Sequence, residues 1–194
     1  MPEVAAAKQT CWSIIVHPRD VALDGHGRGV LADIRQLGLT HVDHVRSARV
    51  FLFNGCLTEG DAALLARDLL TDPVAESSVV SPGLNRRTHD HPSIEVRRRP
   101  GVMDPAAQST LIAARRLLRD RGSTSVRLDD VMTARRYEVI GARDSDELDT
   151  IARRLLANDC IEAIYVTGFD RRDPLPDVWP VPPSRPFELR WVKL

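Results

Sequence analysis

Cysteines, aromatic residues and long apolar runs are scarce in this chain of 194 residues, and each shortage excludes a class of protein. The three cysteines, Cys11, Cys56 and Cys160, form no CxxC pair, so neither a disulfide framework nor a zinc site is indicated. Aromatic residues make up 5% of the chain, too few to suggest the stacking platform of an RNA-binding surface. No apolar run approaches the length of a membrane span, and the N-terminal segment lacks the apolar core of a secretion signal. We therefore expect a cytoplasmic protein.

An excess of charge of one sign is also lacking. The 27 basic and 27 acidic residues cancel at neutral pH, which gives no general reason to expect a nucleic acid or an anionic membrane as partner. Hydrophobic residues make up 43% of the chain and are mainly aliphatic, which is enough for a globular core. The composition predicts a globular protein that binds neither nucleic acid nor membrane.

The motifs of common catalytic and nucleotide-binding sites are missing as well. The sequence contains no P-loop, no GxGxxG run and no nucleophile elbow. The histidine pairs His41/His44 and His89/His91 lack the further nearby ligands that a closed zinc site needs. We therefore predict that this chain holds no catalytic residue, no bound cofactor and no metal ion.

What the chain does have is a strand–turn–helix pattern that occurs twice. An alternating apolar strand at 94–96 is followed by a Pro-Gly turn, and Asp104 and Pro105 then suit the N-cap and the first helical position. The same order occurs earlier, where the strand at 12–16 leads to Asp24 as a second predicted N-cap. Asp24 and Asp104 are 80 positions apart.

The elements that follow also repeat in order, and the equivalent residues Glu76 and Glu162 are 86 positions apart. Such self-similarity indicates an internal duplication. In the first copy we predict a helix ending at Gly38, an extended segment 42–53 with an irregularity near Val45, a helix capped by Thr58 with Asp61, and a strand at 79–80.

The second copy has the same order of elements. We predict a helix ending at Gly122, an extended segment 126–140, a helix capped by Asp144 with Glu147, and a strand at 164–166.

The duplication predicts an α+β fold of two tandem βα-β(β)-αβ units with a ferredoxin-like rhythm. Each unit should place two helices on one face of an antiparallel sheet, and the two units should pack as a pseudo-dimer, because a unit of this size is marginal alone. We place the first repeat at 1–80, a linker at 81–92, the second repeat at 93–166 and a proline-rich tail at 167–194. The residues expected at or near the shared sheet or core are Phe51, Phe53, Tyr137 and Val139.

Both copies share an ordered set of residues. The first copy has Leu23-Asp24, Gly27, Leu37-Gly38, Val42, Val45-Arg46, Leu69-Leu70, Asp72-Pro73 and Glu76, and the second keeps Asp104-Pro105, Gly122, Val131, Leu155-Leu156, Asn158 and Glu162. This set resembles the small PurS subunit of phosphoribosylformylglycinamidine synthase. Two copies in series, followed by a Pro-Phe-Glu-Leu tail, are similar to the N-terminal region of the fused PurL-type synthases.

The resemblance implies that this chain has a non-catalytic function. The synthase uses ATP and glutamine to convert formylglycinamide ribonucleotide to its amidine in purine biosynthesis, and PurS-like units carry none of its catalytic residues. They bridge the PurL-type synthetase and the PurQ-type glutaminase, which are the implied partners. The family's Gly-Lys after Val-Arg is Ala48-Arg49 in the first copy and Ala134-Arg135 in the second. The candidate partner-interface residues are Arg46, Arg49, Arg135 and Arg136, and the helix caps are Asp24 and Asp104.

Two other readings of the strand–helix rhythm stay open. A tandem regulatory module of the ACT type would bind a small effector at a glycine turn in each repeat, and only the first repeat has such glycines. The glycine-rich run 25–29 could also bind a phosphate on its free amides, although we interpret it as a loose helix start. A phosphate-ester enzyme of the acylphosphatase type would need an arginine in this run and an asparagine downstream, for which the candidates are Arg28 and Asn54.

Overall fold

The computed structural model describes residues 10–84, 91–123, 126–169, 175–176 and 178–180. The helices at Glu59–Leu65 and Ser145–Ile151 each continue directly into a five-residue π-helical turn, over Ala66–Leu70 and Ala152–Leu156. The first repeat comprises β1 (Thr10–Pro18), α1 (Gly25–Gln36), β2 (His44–Cys56), α2 (Glu59–Leu65) and β3 (Glu76–Pro82), and the second comprises β4 (Ser93–Arg98), α3 (Pro105–Asp120), β5 (Arg127–Ile140), α4 (Ser145–Ile151) and β6 (Glu162–Thr167).

The six strands form one antiparallel sheet in the order β3-β1-β2-β5-β4-β6. Each repeat supplies three neighbouring strands, and the two halves join where β2 pairs with β5. The predicted α+β class is therefore confirmed. Phe51, Phe53, Tyr137 and Val139 lie on these two joining strands and are buried, as expected from the sequence.

All four α-helices of the described residues lie on one face of the sheet. Phe51 and Phe53 pack with α2 and α3, whereas Val45 packs with α1 and α4. These three residues occupy odd positions of β2, so their side chains point to the same face. Each helix pair therefore combines one helix from each repeat, and the hydrophobic core is shared between the repeats.

The opposite face of the sheet carries no helix of the described residues and is partly covered by other segments. Its apolar cluster contains Ile15, Val50, Leu52 and Ala134, with Leu84 folded over them and Trp179 packed alongside. Because β2 is buried on both faces, it reads as a near-continuous apolar run instead of an alternating one.

The prediction of an irregularity near Val45 is wrong. The register of β2 against β5 runs without a shift from His44 to Asn54, and the shift falls between Asn54 and Gly55. The slip in apolar parity that suggested an irregularity comes from the even-numbered Val50 and Leu52, which are buried on the second face.

Two strands extend past the predicted ends of the repeats at residues 80 and 166. β3 continues to Pro82 and β6 continues to Thr167. Most of the predicted proline-rich tail lies outside the described residues. Within the described residues, no helix is both long and apolar enough to cross a membrane.

Candidate functional site

The two predicted cap residues each join a helix to a central strand. The Asp24 carboxylate accepts hydrogen bonds from the Gly27 N–H at 2.7 Å and from the N–H and hydroxyl of Ser47 on β2, both at 2.7 Å. The cap therefore satisfies a free amide of the first turn of α1 and fixes that helix to β2.

Asp104 repeats this arrangement in the second copy. Its carboxylate accepts from the Ala107 N–H at 3.0 Å, and from the N–H and hydroxyl of Thr133 on β5 at 3.0 and 2.8 Å. Ser47 and Thr133 are themselves 86 positions apart, so the cap, the strand contact and the spacing are all duplicated. Both aspartates act structurally, each through three accepted hydrogen bonds.

The two halves of the sheet meet at a pair of arginines. Arg49 on β2 lies directly opposite Arg135 on β5, and these two residues are also equivalents, 86 positions apart. The register is symmetric about this pair, because Ser47 faces Tyr137 and Phe51 faces Thr133. Both arginine side chains extend on the helix-bearing face and remain about half exposed, at 53% and 45%.

Each of these arginines has a carboxylate from its own repeat. Arg49 Nη2 donates to both oxygens of Glu76 at 2.8 Å, and Arg135 Nη2 donates to Glu162 at 2.8 Å. Both carboxylates also accept a backbone amide four residues earlier, from Asp72 at 3.0 Å and Asn158 at 2.9 Å. In each copy the glutamate therefore connects the arginine of the central strand to the backbone that follows the π-helical turn.

A hydrogen bond between the repeats distinguishes one side of the arginine pair from the other. His26 Nε2 of α1 lies 3.0 Å from the hydroxyl of Tyr137 on β5, and the two rings are in tilted contact. Burial raises the pKa of Tyr137 above its usual value, partly offset by the neighbouring Arg135. The equivalent positions carry Ala106 and Phe51, so the other side has no such bond.

Two cavities flank the arginine pair, and corresponding residues of the two repeats line them. The larger, about 730 Å³, is lined by both arginines together with Arg98, the start of α3 and Glu162. The smaller, about 430 Å³, is lined by both arginines together with His26, Tyr137 and Glu76. Each cavity combines the helix start of one repeat with the central strand of the other.

The other two candidate interface arginines lie on the opposite face of the sheet. Arg46 is exposed and lines a cavity of about 300 Å³ together with Arg136 and Glu138. Arg136 is buried and ion-paired to Glu95, so unlike the other three candidates it presents little charge at the surface.

Sequence reasoning missed the buried ion network around Glu95. Its carboxylate accepts from Arg97 Nε at 2.6 Å and from Arg136 Nε at 2.7 Å, and all three residues are buried. Residues 95 and 97 share a face of β4 because side chains alternate along a strand. An acid and a base two positions apart, at Glu95 and Arg97 with Val96 between them in an apolar strand, are the signal that could have indicated the pair.

The structure does not assemble the phosphate-ester site that the glycine-rich run suggested. Arg28 Nη1 donates to the carbonyls of Val21 and Ala22, which closes the turn before α1. Gly27, at the start of the same helix, packs against Val45 of β2. Asn54 lies nine residues beyond Val45 on this strand, which at roughly 3.3 Å per residue places it about 30 Å from Val45. The two residues therefore cannot act together.

In the part of the chain that the structure describes, His41 and His44 do not belong to a set of metal ligands. His41 bonds Glu147 at 2.8 Å, and His89 lies outside the described residues. Among the residues that the structure describes, no group of three or more His, Cys, Asp or Glu side chains could hold a metal ion. Neither a comparison with family models nor a search of curated proteins gives a match for this chain.

Proposed function

We propose that this chain is a non-catalytic assembly element of a phosphoribosylformylglycinamidine synthase, as a subunit or as part of a longer enzyme. It links a PurL-type synthetase to a PurQ-type glutaminase, and those partners use ATP and glutamine. The two repeats act as PurS-like units joined into an internal pseudo-dimer.

The observation that carries this proposal is the position of the repeated residues. The set that resembles PurS includes Asp24 and Glu76, and Arg49 stands where the family has a lysine. The equivalents Asp104, Glu162 and Arg135 make the same kinds of contact in the second copy. In both copies these residues connect a helix or turn to the strand at which the halves of the sheet join. Their roles are those of a scaffold, which supports an assembly function.

Surface charge supports the choice of interface. Arg46 is exposed on the face that carries no described helix, and Arg49 and Arg135 are half exposed on the other face. Exposed charges at a rim set the rate and selectivity of association more than its strength. Both faces of the joined sheet thus offer arginines to the two partners.

Reconstitution with a PurL-type synthetase and a PurQ-type glutaminase tests the proposal. We expect amidine formation from glutamine to require this chain, while formation from free ammonia proceeds with the synthetase alone. Arg46→Glu should weaken the assembly measured by sedimentation, and Arg116→Glu, on the exposed side of α3, should not.

Two results would contradict the assembly function. One is a chain that neither co-sediments with the partners nor changes their glutamine-dependent rate. The other is turnover of ATP or glutamine by the purified chain itself, at ordinary enzyme rates of about 1–10³ per second.

A further inference from the structure

We propose that the larger cavity beside the arginine pair, defined above by Arg49, Arg98 and Arg135, binds an organic phosphate monoester. Three guanidinium groups hold the phosphoryl group, and the apolar part of the cavity receives the remainder of the ligand. This site goes beyond the assembly function and is tested on the chain without any partner.

The arginines retain hydrogen-bond donors for a ligand. A guanidinium presents five N–H donors in a planar fork that matches phosphate oxygens. Within the described residues, every side-chain hydrogen bond of Arg49 uses Nη2, which donates to Glu76 and to the Leu70 carbonyl. Arg98 makes only a long ion pair there, 3.8 Å from Glu162, and its side chain is 38% exposed.

The carboxylates around the cavity have already accepted donors. Asp104 receives three hydrogen bonds from α3 and Thr133, and Glu162 receives one from Arg135 and one from the Asn158 amide. Three arginines line the cavity with these two engaged carboxylates, and Arg49 is also paired with Glu76, so the formal charges balance and the site depends on the unused guanidinium donors. Glu76 lines the smaller cavity on the other side.

The size and the remaining lining favour an organic phosphate over the free ion. The volume of about 730 Å³ falls within the range of roughly 300–1,000 Å³ typical of small-molecule sites. A bare phosphate would leave most of this space unfilled. The wall also contains apolar side chains, among them Phe51, Leu69, Leu70, Val96 and Ala113.

Calorimetric titration of the full chain with phenyl phosphate, inorganic phosphate and phenol separates the contribution of the phosphoryl group to binding from that of the apolar part of the ligand. We expect phenyl phosphate to bind with a dissociation constant below about 1 mM, inorganic phosphate more weakly, and phenol not measurably. Arg98→Gln should weaken phenyl phosphate binding about tenfold, because a charged donor to the phosphoryl group is lost. Arg116→Gln makes the same change at an exposed arginine of α3 that does not line the cavity, and it should leave binding unchanged.

Side-chain ¹⁵N resonances of the arginines locate the site independently of affinity. The Nε–H signals of Arg49, Arg98 and Arg135 should shift on adding phenyl phosphate, while that of Arg116 stays in place. The proposal fails if phenyl phosphate does not bind at 10 mM, roughly ten times the expected limit. It also fails if Arg98→Gln and Arg116→Gln bind equally, or if the shifts occur elsewhere.

Discussion

Arg49 and Arg135 are both equivalents in the duplicated sequence and direct partners across β2 and β5. Two like charges directly opposite each other destabilise a sheet. Here each is paired with a glutamate of its own repeat, at 2.8 Å in both cases. The junction between the repeats therefore depends on two ion pairs that the duplication supplied together.

Glu162→Gln tests this dependence. Removing the carboxylate leaves the half-exposed Arg135 facing Arg49 without its counter-charge, and we expect the free energy of unfolding to fall by about 1 kcal/mol. Chemical denaturation measures the change. Adding Arg135→Gln to the same chain should restore part of the loss, since the repulsion across the strands is then also removed. A double variant less stable than either single variant would contradict this account.

Gly27→Ala tests the close approach of α1 to the sheet. An added Cβ would lie 2.5 Å from both the Val45 carbonyl oxygen and an Asp24 carboxylate oxygen, so we expect a loss of about 2–3 kcal/mol. Gly29→Ala is the matched control, because nothing lies within 4 Å of its added Cβ. That change should stabilise the helix by about 0.5–1 kcal/mol. Equal effects of the two substitutions would refute the packing argument.

The two helix caps should differ in strength. The glycines after Asp24 make its helix costly to start, which alone would predict the weaker cap. Asp24 is more deeply buried than Asp104, however, and its loss leaves the amide and hydroxyl of the partly buried Ser47 without this acceptor. We expect Asp24→Ala to cost about 2–3 kcal/mol and Asp104→Ala about 1–2 kcal/mol. Thermal melts of both variants check the order, and an unchanged midpoint for either would remove its capping role.

These contacts show where sequence reasoning succeeds and where it stops. Asp24 and Asp104 could be predicted as caps because a cap bonds residues three positions away in the chain. The Ser47 and Thr133 contacts of the same carboxylates could not, because they depend on which strand lies beneath each helix. The His26–Tyr137 bond spans 111 positions and joins the two repeats, so it requires the order of strands in the sheet.

Tyr137→Phe tests the bond between the repeats and its dependence on pH. Because burial raises the folded-state pKa of Tyr137 above the unfolded value of about 10, the folded chain holds the proton longer. This stabilisation is fully present below about pH 10 and is lost as the pH rises toward the folded-state pKa.

At pH 8 we expect Tyr137→Phe to cost about 1 kcal/mol through the lost hydrogen bond to His26. The difference from the parent chain should shrink between pH 9.5 and 11, roughly the range where an unfolded tyrosine ionises. Denaturation curves at both ends of this range measure it. A difference that stays constant with pH would show that Tyr137 does not titrate in this way.

The central claim is that the two repeats are halves of one sheet that need each other. Sedimentation of a fragment of residues 1–85 tests it most directly, because this fragment keeps β2 and loses β5. We predict that the fragment self-associates or aggregates, with a second copy of β2 taking the place of β5 and Arg49 facing Arg49. A monomeric fragment that melts as cooperatively as the full chain would contradict the claim and show that the repeats are independent.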